Sequence, residues 1–210
     1  MSRVLAVLSV VLLLAVCAGP SSAATPAPAD PLAPVTTTGN AAEKRFSAIV
    51  SAYSRGYFAF DPAFATTWGL HQYDRFLPDR SRAAIDAEVA RTKKALAAAK
   101  AIPAAQLGDS ARIDYDLYTR QVEGHLFDLT EIRRWENDPS TYNYAGAIFA
   151  LMARNYAPPE ERLKLVIARL TQVPSLLESG KQNLKNPPAM FSNFAAEDFE
   201  GSIDFLDHEV

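Results

Sequence analysis

The chain has 210 residues, 49% of them hydrophobic and 21% charged, with a formal net charge of -3. That balance suits a globular protein rather than a disordered one and leaves no basic footprint for nucleic acid. One cysteine, Cys17, excludes a disulfide framework.

The chain opens on the basic start Met1-Ser2-Arg3. Residues 4–16 are apolar, broken only by Ser9, and Gly19-Pro20 and Ser21-Ser22-Ala23-Ala24 follow. This is the n-region, h-region and cleavage-site order of a secretory signal peptide, so residues 1–24 are read as a leader and set aside from the fold. The run is too short for a membrane span, which needs ~20 apolar residues. Ser21-x-Ala23 or Ser22-x-Ala24 suits ordinary signal peptidase and gives an exported protein, periplasmic or secreted. Leu14-Ala15-Val16-Cys17 offers a second route, in which Cys17 carries a lipid anchor. The residue before a lipobox cysteine is normally very small and Val16 is not, so simple cleavage is preferred. Residues 25–39 are rich in Pro, Ala and Thr and read as a flexible linker without a core of their own.

Residues 40–210 are expected to form one helical domain. Asn40 to Glu43 fits a capping box, and Phe46, Ile49, Val50, Tyr53 and Tyr57 follow at helical spacing. Asp61-Pro62 starts a short helix that Gly69 ends. A loop to Arg80 holds His71, Tyr73 and Asp74. Residues 81–100 form an Ala-rich helix with Ile85, Val89 and Leu96 on one side, stopped by Ile102-Pro103. Asp109 or Ser110 is expected to cap the next helix. There Tyr115, Tyr118, Val122, Leu126 and Leu129 make the stripe, and Ile113 and Leu117 widen it, so this helix is expected to be central. Asp138-Pro139 breaks the chain, and Tyr144, Ile148, Leu151 and Met152 mark another helix. Pro158-Pro159-Glu160-Glu161 is a strong start, with Leu163, Val166, Ile167 and Leu170 as its apolar face. Pro174 opens or kinks a further segment, Asn186-Pro187-Pro188 stops it, and an irregular apolar stretch runs over residues 191–206. No segment alternates as a strand does. The fold class is all-α, with seven or eight helices joined by proline-marked turns.

The residues alone assemble no active site. His71, His125 and His208 form no pair at helical metal-binding spacing. His125 sits beside the central stripe and reads as a packing histidine, His71 as a loop histidine. His208-Glu209 lacks the second histidine of a zincin motif. Asp114 and Asp128 share a face but stand about 21 Å apart along a helix of 1.5 Å rise, too far for a catalytic pair. Glu197, Asp198 and Glu200 read as a solvated face, and there is no Gly-x-Ser-x-Gly elbow. The aromatic group Tyr57, Phe58, Phe60, Phe64, Trp68 and Tyr73, and the later group Trp135, Tyr142, Tyr144 and Tyr156, suit helix packing, or the lining of a peptide or ligand cleft. No catalytic, cofactor-binding or metal-binding residue is assigned.

The blocks together resemble a known family. Asp61-Pro62, Ala65-Thr66, Gly69, Tyr73-Asp74, Leu77-Pro78-Asp79 and Ser81 come first. Asp114-Tyr115 with Leu117, Trp135 with Asp138-Pro139 and Tyr142, and Arg154 with Pro158 follow. Arg162-Leu163, Arg169-Leu170, Pro174, and Asn183-Leu184 with Asn186-Pro187-Pro188 complete the order. This pattern is similar to the N-terminal part of the bacterial domain-of-unknown-function 885 family. The resemblance implies an exported, mostly helical, zinc-metallopeptidase-like protein acting on peptides, whose members are longer and carry His-Glu-x-x-Pro-Gly-His downstream of the matched region. That motif is absent from these 210 residues, so no catalytic or zinc-binding residue carries over. The helices are then expected to be one wall or lid of a deep cleft. On this reading the chain is a C-terminally truncated, non-catalytic portion, and zinc belongs to the full-length relatives. The alternative is a standalone exported helical module that binds or builds.

Overall fold

The structure, a computed structural model, describes Leu32 and residues 39–209. The leader, Cys17 and nearly all of the linker lie outside the described residues. Among those residues the fold is all-α, as expected. Seven helices have eight residues or more: α1 (Ala41–Phe60), α3 (Arg82–Lys100), α4 (Asp109–Phe127), α6 (Ala145–Met152), α7 (Pro159–Leu170), α8 (Val173–Asn183) and α9 (Ala189–Glu209). Two are short, α2 (Pro62–Thr67) and α5 (Arg134–Asn137).

Local chemistry sets most boundaries. The Asn40 side chain accepts from the backbone N–H groups of Ala42 and Glu43, and the Glu43 carboxylate accepts from the Asn40 N–H, a complete capping box. Asp61 accepts from the Phe64 N–H and Pro62 opens α2. Gly69 closes that turn at φ +79, a conformation that disfavours any Cβ. Ser81 caps α3. The expected cap of α4 is corrected: Gly108 occupies that position and Asp109 is the first helical residue. The Gly108 N–H donates to Glu43 Oε1 at 3.0 Å, so the α1 carboxylate takes the bond that a capping-box glutamate at the third helical position would have taken. The end of α4 relaxes into a π-turn over Asp128–Ile132, terminated by Arg133 in the left-handed region at φ 55.

The core is distributed between helix pairs. Phe46 of α1, Ala99 of α3, and Tyr118 and Val122 of α4 form one cluster with Ile102 and Leu107. Ile85, Leu129 and Trp135 form a second, beside Phe60 and Val89. Leu77, Tyr142 and Leu176 form a third. There Gly180 lets α8 lie directly on the Tyr142 ring, since a Cβ would sit 2.9 Å from its Cγ. Ile148, Leu151 and Val166 join α6 to α7.

Two apolar faces differ from expectation. Ile113 and Leu117 are 68% and 65% exposed, so α4 buries only its Tyr118–Val122 side. Leu163 and Ile167 of α7 also face outward, while Val166 and Arg169 point in. The buried side of α7 is therefore rotated from the Leu163–Ile167 stripe, because a buried arginine occupies it. Arg169 donates through Nη1 to the Ala147 carbonyl and through Nη2 to Thr66 Oγ1 at 2.6 Å. Thr66 Oγ1 lies 2.8 Å from Asp74 Oδ1, and Asp74 Oδ2 lies 2.9 Å from His71 Nδ1. The His71 ring stacks on Tyr156 at 3.9 Å. A buried ion needs such partners to offset its desolvation, and these tie α2, α6, α7 and the loop after α2 into one knot.

Candidate functional site

Helices α1 and α4 run side by side in the same direction. Glu43 meets Gly108 at one end, and Tyr57 meets His125 at the other, ring centroids 5.1 Å apart. Between them, with α2 closing one end, lies a half-open trough of about 890 Å³. Its walls are Val50 and Tyr53 of α1 and Leu117 and Tyr118 of α4, and Phe64 of α2 and Trp68, which follows it, stand at its mouth. Trp68 is 68% exposed. A mostly apolar concavity with a few polar groups is the usual form of a ligand site.

The aromatic walls are built by edge contacts. Tyr118 stands edge-on to Phe46 and Tyr53, at 5.6 and 5.5 Å. Phe58 stacks on Phe64 at 6.2 Å, and Phe64 packs against Trp68. Burial pushes the hydroxyls of Tyr53 and Tyr118 up to about 12, against the nearby Arg91 charge. Both therefore remain protonated near neutrality. The buried Tyr118 hydroxyl has no hydrogen-bond partner among the described residues.

A charged group lies behind the floor. Glu88 is 3% exposed and takes two bonds from Arg91, Nε to Oε2 at 2.7 Å and Nη2 to Oε1 at 2.5 Å. His125 Nε2 lies 2.9 Å from Glu88 Oε1. Arg91 also donates to the Tyr53 carbonyl at 2.9 Å and lies over the Tyr53 ring. Gly56 makes this crossing possible, because a Cβ there would fall 2.7 Å from Arg91 Cδ. Burial alone would raise the Glu88 carboxyl, but the hydrogen bonds and charges of His125 and Arg91 outweigh it and hold the group below its ordinary value.

The structure sorts the residues singled out in the sequence. Tyr57, Phe58, Phe64 and Trp68 come together at the trough, with His125 at its end. Phe60 instead packs with Ile85, Leu129 and Trp135. Trp135 and Tyr142 are core, and Tyr156 belongs to the Arg169 knot. His208 is exposed on the last turn of α9, its Nδ1 beside the Asp204 carbonyl. Sequence reasoning missed the roles of Leu117, taken for core, and of Glu88. The signal for Glu88 was its place one turn beyond Ile85 and one turn before Thr92, a charge on a buried stripe. Among the described residues no three His, Cys, Asp or Glu side chains converge as a metal-binding group. His71 Nδ1 and His125 Nε2 each lie within hydrogen-bond distance of a carboxylate, which fixes the orientation of both rings.

Residues 62–210 match the sequence model of a family described as bacterial protein of unknown function, DUF885. A solved structure, a candidate lipoprotein of unknown function from Shewanella oneidensis, is similar at 26% identity with a TM-score of 0.69. The match covers 75% of this chain and 29% of that one, so this chain spans under a third of that protein's length. No curated protein matches.

Proposed function

Since the chain belongs to the bacterial DUF885 family, we propose that it is the N-terminal helical portion of an exported, metallopeptidase-like protein. On this reading it forms one wall of a peptide-binding cleft and has no catalytic centre of its own. The observation that carries the proposal is the 890 Å³ trough, long, half-open and walled by aromatic and aliphatic side chains from three helices. An extended peptide needs a continuous apolar channel with polar groups along it, and Tyr53, Ser54 and Gln121 line the trough. Export draws support from the leader at residues 1–24 and from the lipoprotein description of the similar structure. On this reading any zinc chemistry belongs to parts of longer family members.

The two tryptophans provide the test, since Trp68 stands at the mouth of the trough and Trp135 is 7% exposed. Short apolar peptides are expected to blue-shift the Trp68 emission saturably, and a Trp68→Phe variant to lose the shift. The purified chain is expected to release no product from a quenched fluorogenic peptide library. An unshifted emission spectrum across that library would reject the cleft, and turnover would reject the non-catalytic assignment. A reporter fused after residue 39 is expected in the periplasm, with or without Cys17→Ala; cytoplasmic retention would reject export.

A further inference from the structure

We infer that the trough takes a peptide bearing a positive charge beside large apolar side chains, an inference that rests on the peptide-cleft reading and adds the chemistry of the occupant. Charge complementarity carries it. No lysine or arginine lines the trough, whereas Glu43 and Asp114 do. Both Glu43 oxygens are engaged, by the N–H groups of Asn40 and Gly108, each at 3.0 Å, yet its charge remains. Asp114 is exposed and has no hydrogen bond or ion pair to any described residue. It stands one turn from Leu117 and Tyr118, on the same side of α4.

The cation behind the floor does not reverse this field. Arg91 is held by both oxygens of Glu88 and by the Tyr53 carbonyl, so its charge is matched locally. The aromatic walls add to the bias, because ring faces are negative and attract cations. An anionic occupant meets two carboxylates, and His125, the one lining residue able to carry a positive charge, already faces Glu88 at 2.9 Å. A neutral apolar occupant fills the trough but leaves Asp114 unpaired. A lysine or arginine side chain satisfies Asp114 while its apolar neighbours cover Leu117, Val50 and Phe64.

The test uses the purified chain and three peptides, acetyl-Phe-Leu-Lys-Leu-amide and its norleucine and glutamate counterparts, followed through Trp68 emission and calorimetry. The lysine peptide is expected to bind about fivefold tighter than the norleucine one, the size of an exposed ion pair with some ring contribution. The glutamate peptide is expected to be weakest. Asp114→Asn, a change at an exposed helical position, is expected to erase most of the lysine advantage and to leave the norleucine affinity unchanged. Equal affinity for lysine and norleucine peptides would overturn the charge inference and leave the peptide cleft standing. If no peptide binds, the cleft reading falls, and the charge inference is decided by benzyltrimethylammonium against benzoate. Binding of the cation alone, weakened in Asp114→Asn, upholds it; no preference ends it. A dimer in which Trp68 is shielded and no peptide competes would identify a second copy as the occupant and also overturn it.

Discussion

Glu88 is a carboxylate enclosed by the α1–α3–α4 packing, and its neighbours Arg91 and His125 decide its state. Its bonds to Arg91 and His125 exist only in the folded chain. They hold its carboxyl below the ordinary range although burial pushes the other way. The sign follows by linkage. A depressed folded value contributes stability above the unfolded carboxyl value of about 4.3, and the contribution is lost as pH falls through the folded value. Thermal unfolding is therefore expected to show a fall in Tm on acidification below that point, and Glu88→Gln to flatten it. At neutral pH the same substitution takes from Arg91 its counter-charge and one of its three acceptors, at a cost of about 2 kcal/mol. Denaturant unfolding at pH 7 measures that cost; an unchanged midpoint would mean that Arg91 finds solvent instead.

At the scale of elements, two glycines separate backbone strain from helix propensity. Gly69 ends the α2 turn in the left-handed region, with nothing within 4 Å of a Cβ position. Gly69→Ala is thus a test of conformation without steric clash, and is expected to destabilise by about 1 kcal/mol. Gly124 lies within α4 and also faces open space. Gly124→Ala is expected to stabilise by about 0.5–1 kcal/mol through helix propensity. Opposite shifts in the two denaturation midpoints check the pair. These boundaries were legible in the sequence because their causes are local: Asn40 with Glu43, Asp61 with Pro62, and Pro159 each act within one turn. The one cap that failed, that of α4, has a non-local partner: the Gly108 N–H is satisfied by Glu43, 65 residues earlier. Periodicity likewise located the stripes of α4 and α7 but not their covered width. Leu117 and Tyr118 are neighbours on one face, yet only Tyr118 is roofed by Phe46 and Tyr53.

Across the whole molecule, several large apolar side chains face solvent away from the trough. Phe149 of α6, Leu163 and Ile167 of α7, and Met190, Phe194 and Ile203 of α9 are each more than half exposed. Exposed apolar area of this kind favours association. Sedimentation over a concentration series is expected to show self-association, reduced by the double change Leu163→Glu and Ile167→Glu; a single sedimenting species throughout would contradict this. The trough was the least legible part of the molecule. Its aromatic residues are visible in the sequence, but which of them meet depends on α1 and α4 lying parallel and on α2 folding back across their end.

That last placement has a temporal side. The wall bearing Phe64 and Trp68 is fixed from behind by Thr66, whose hydroxyl is gripped by Arg169, 103 residues further along the chain. During synthesis, all three trough-forming helices leave the ribosome well before α7 does. Until Arg169 arrives, Thr66 and Asp74 lack the cation that closes their knot, and α2 is backed only by α1, α6 and the turn that follows it. The bond that secures this wall is therefore made late, although every residue that lines the trough is among the first to be made.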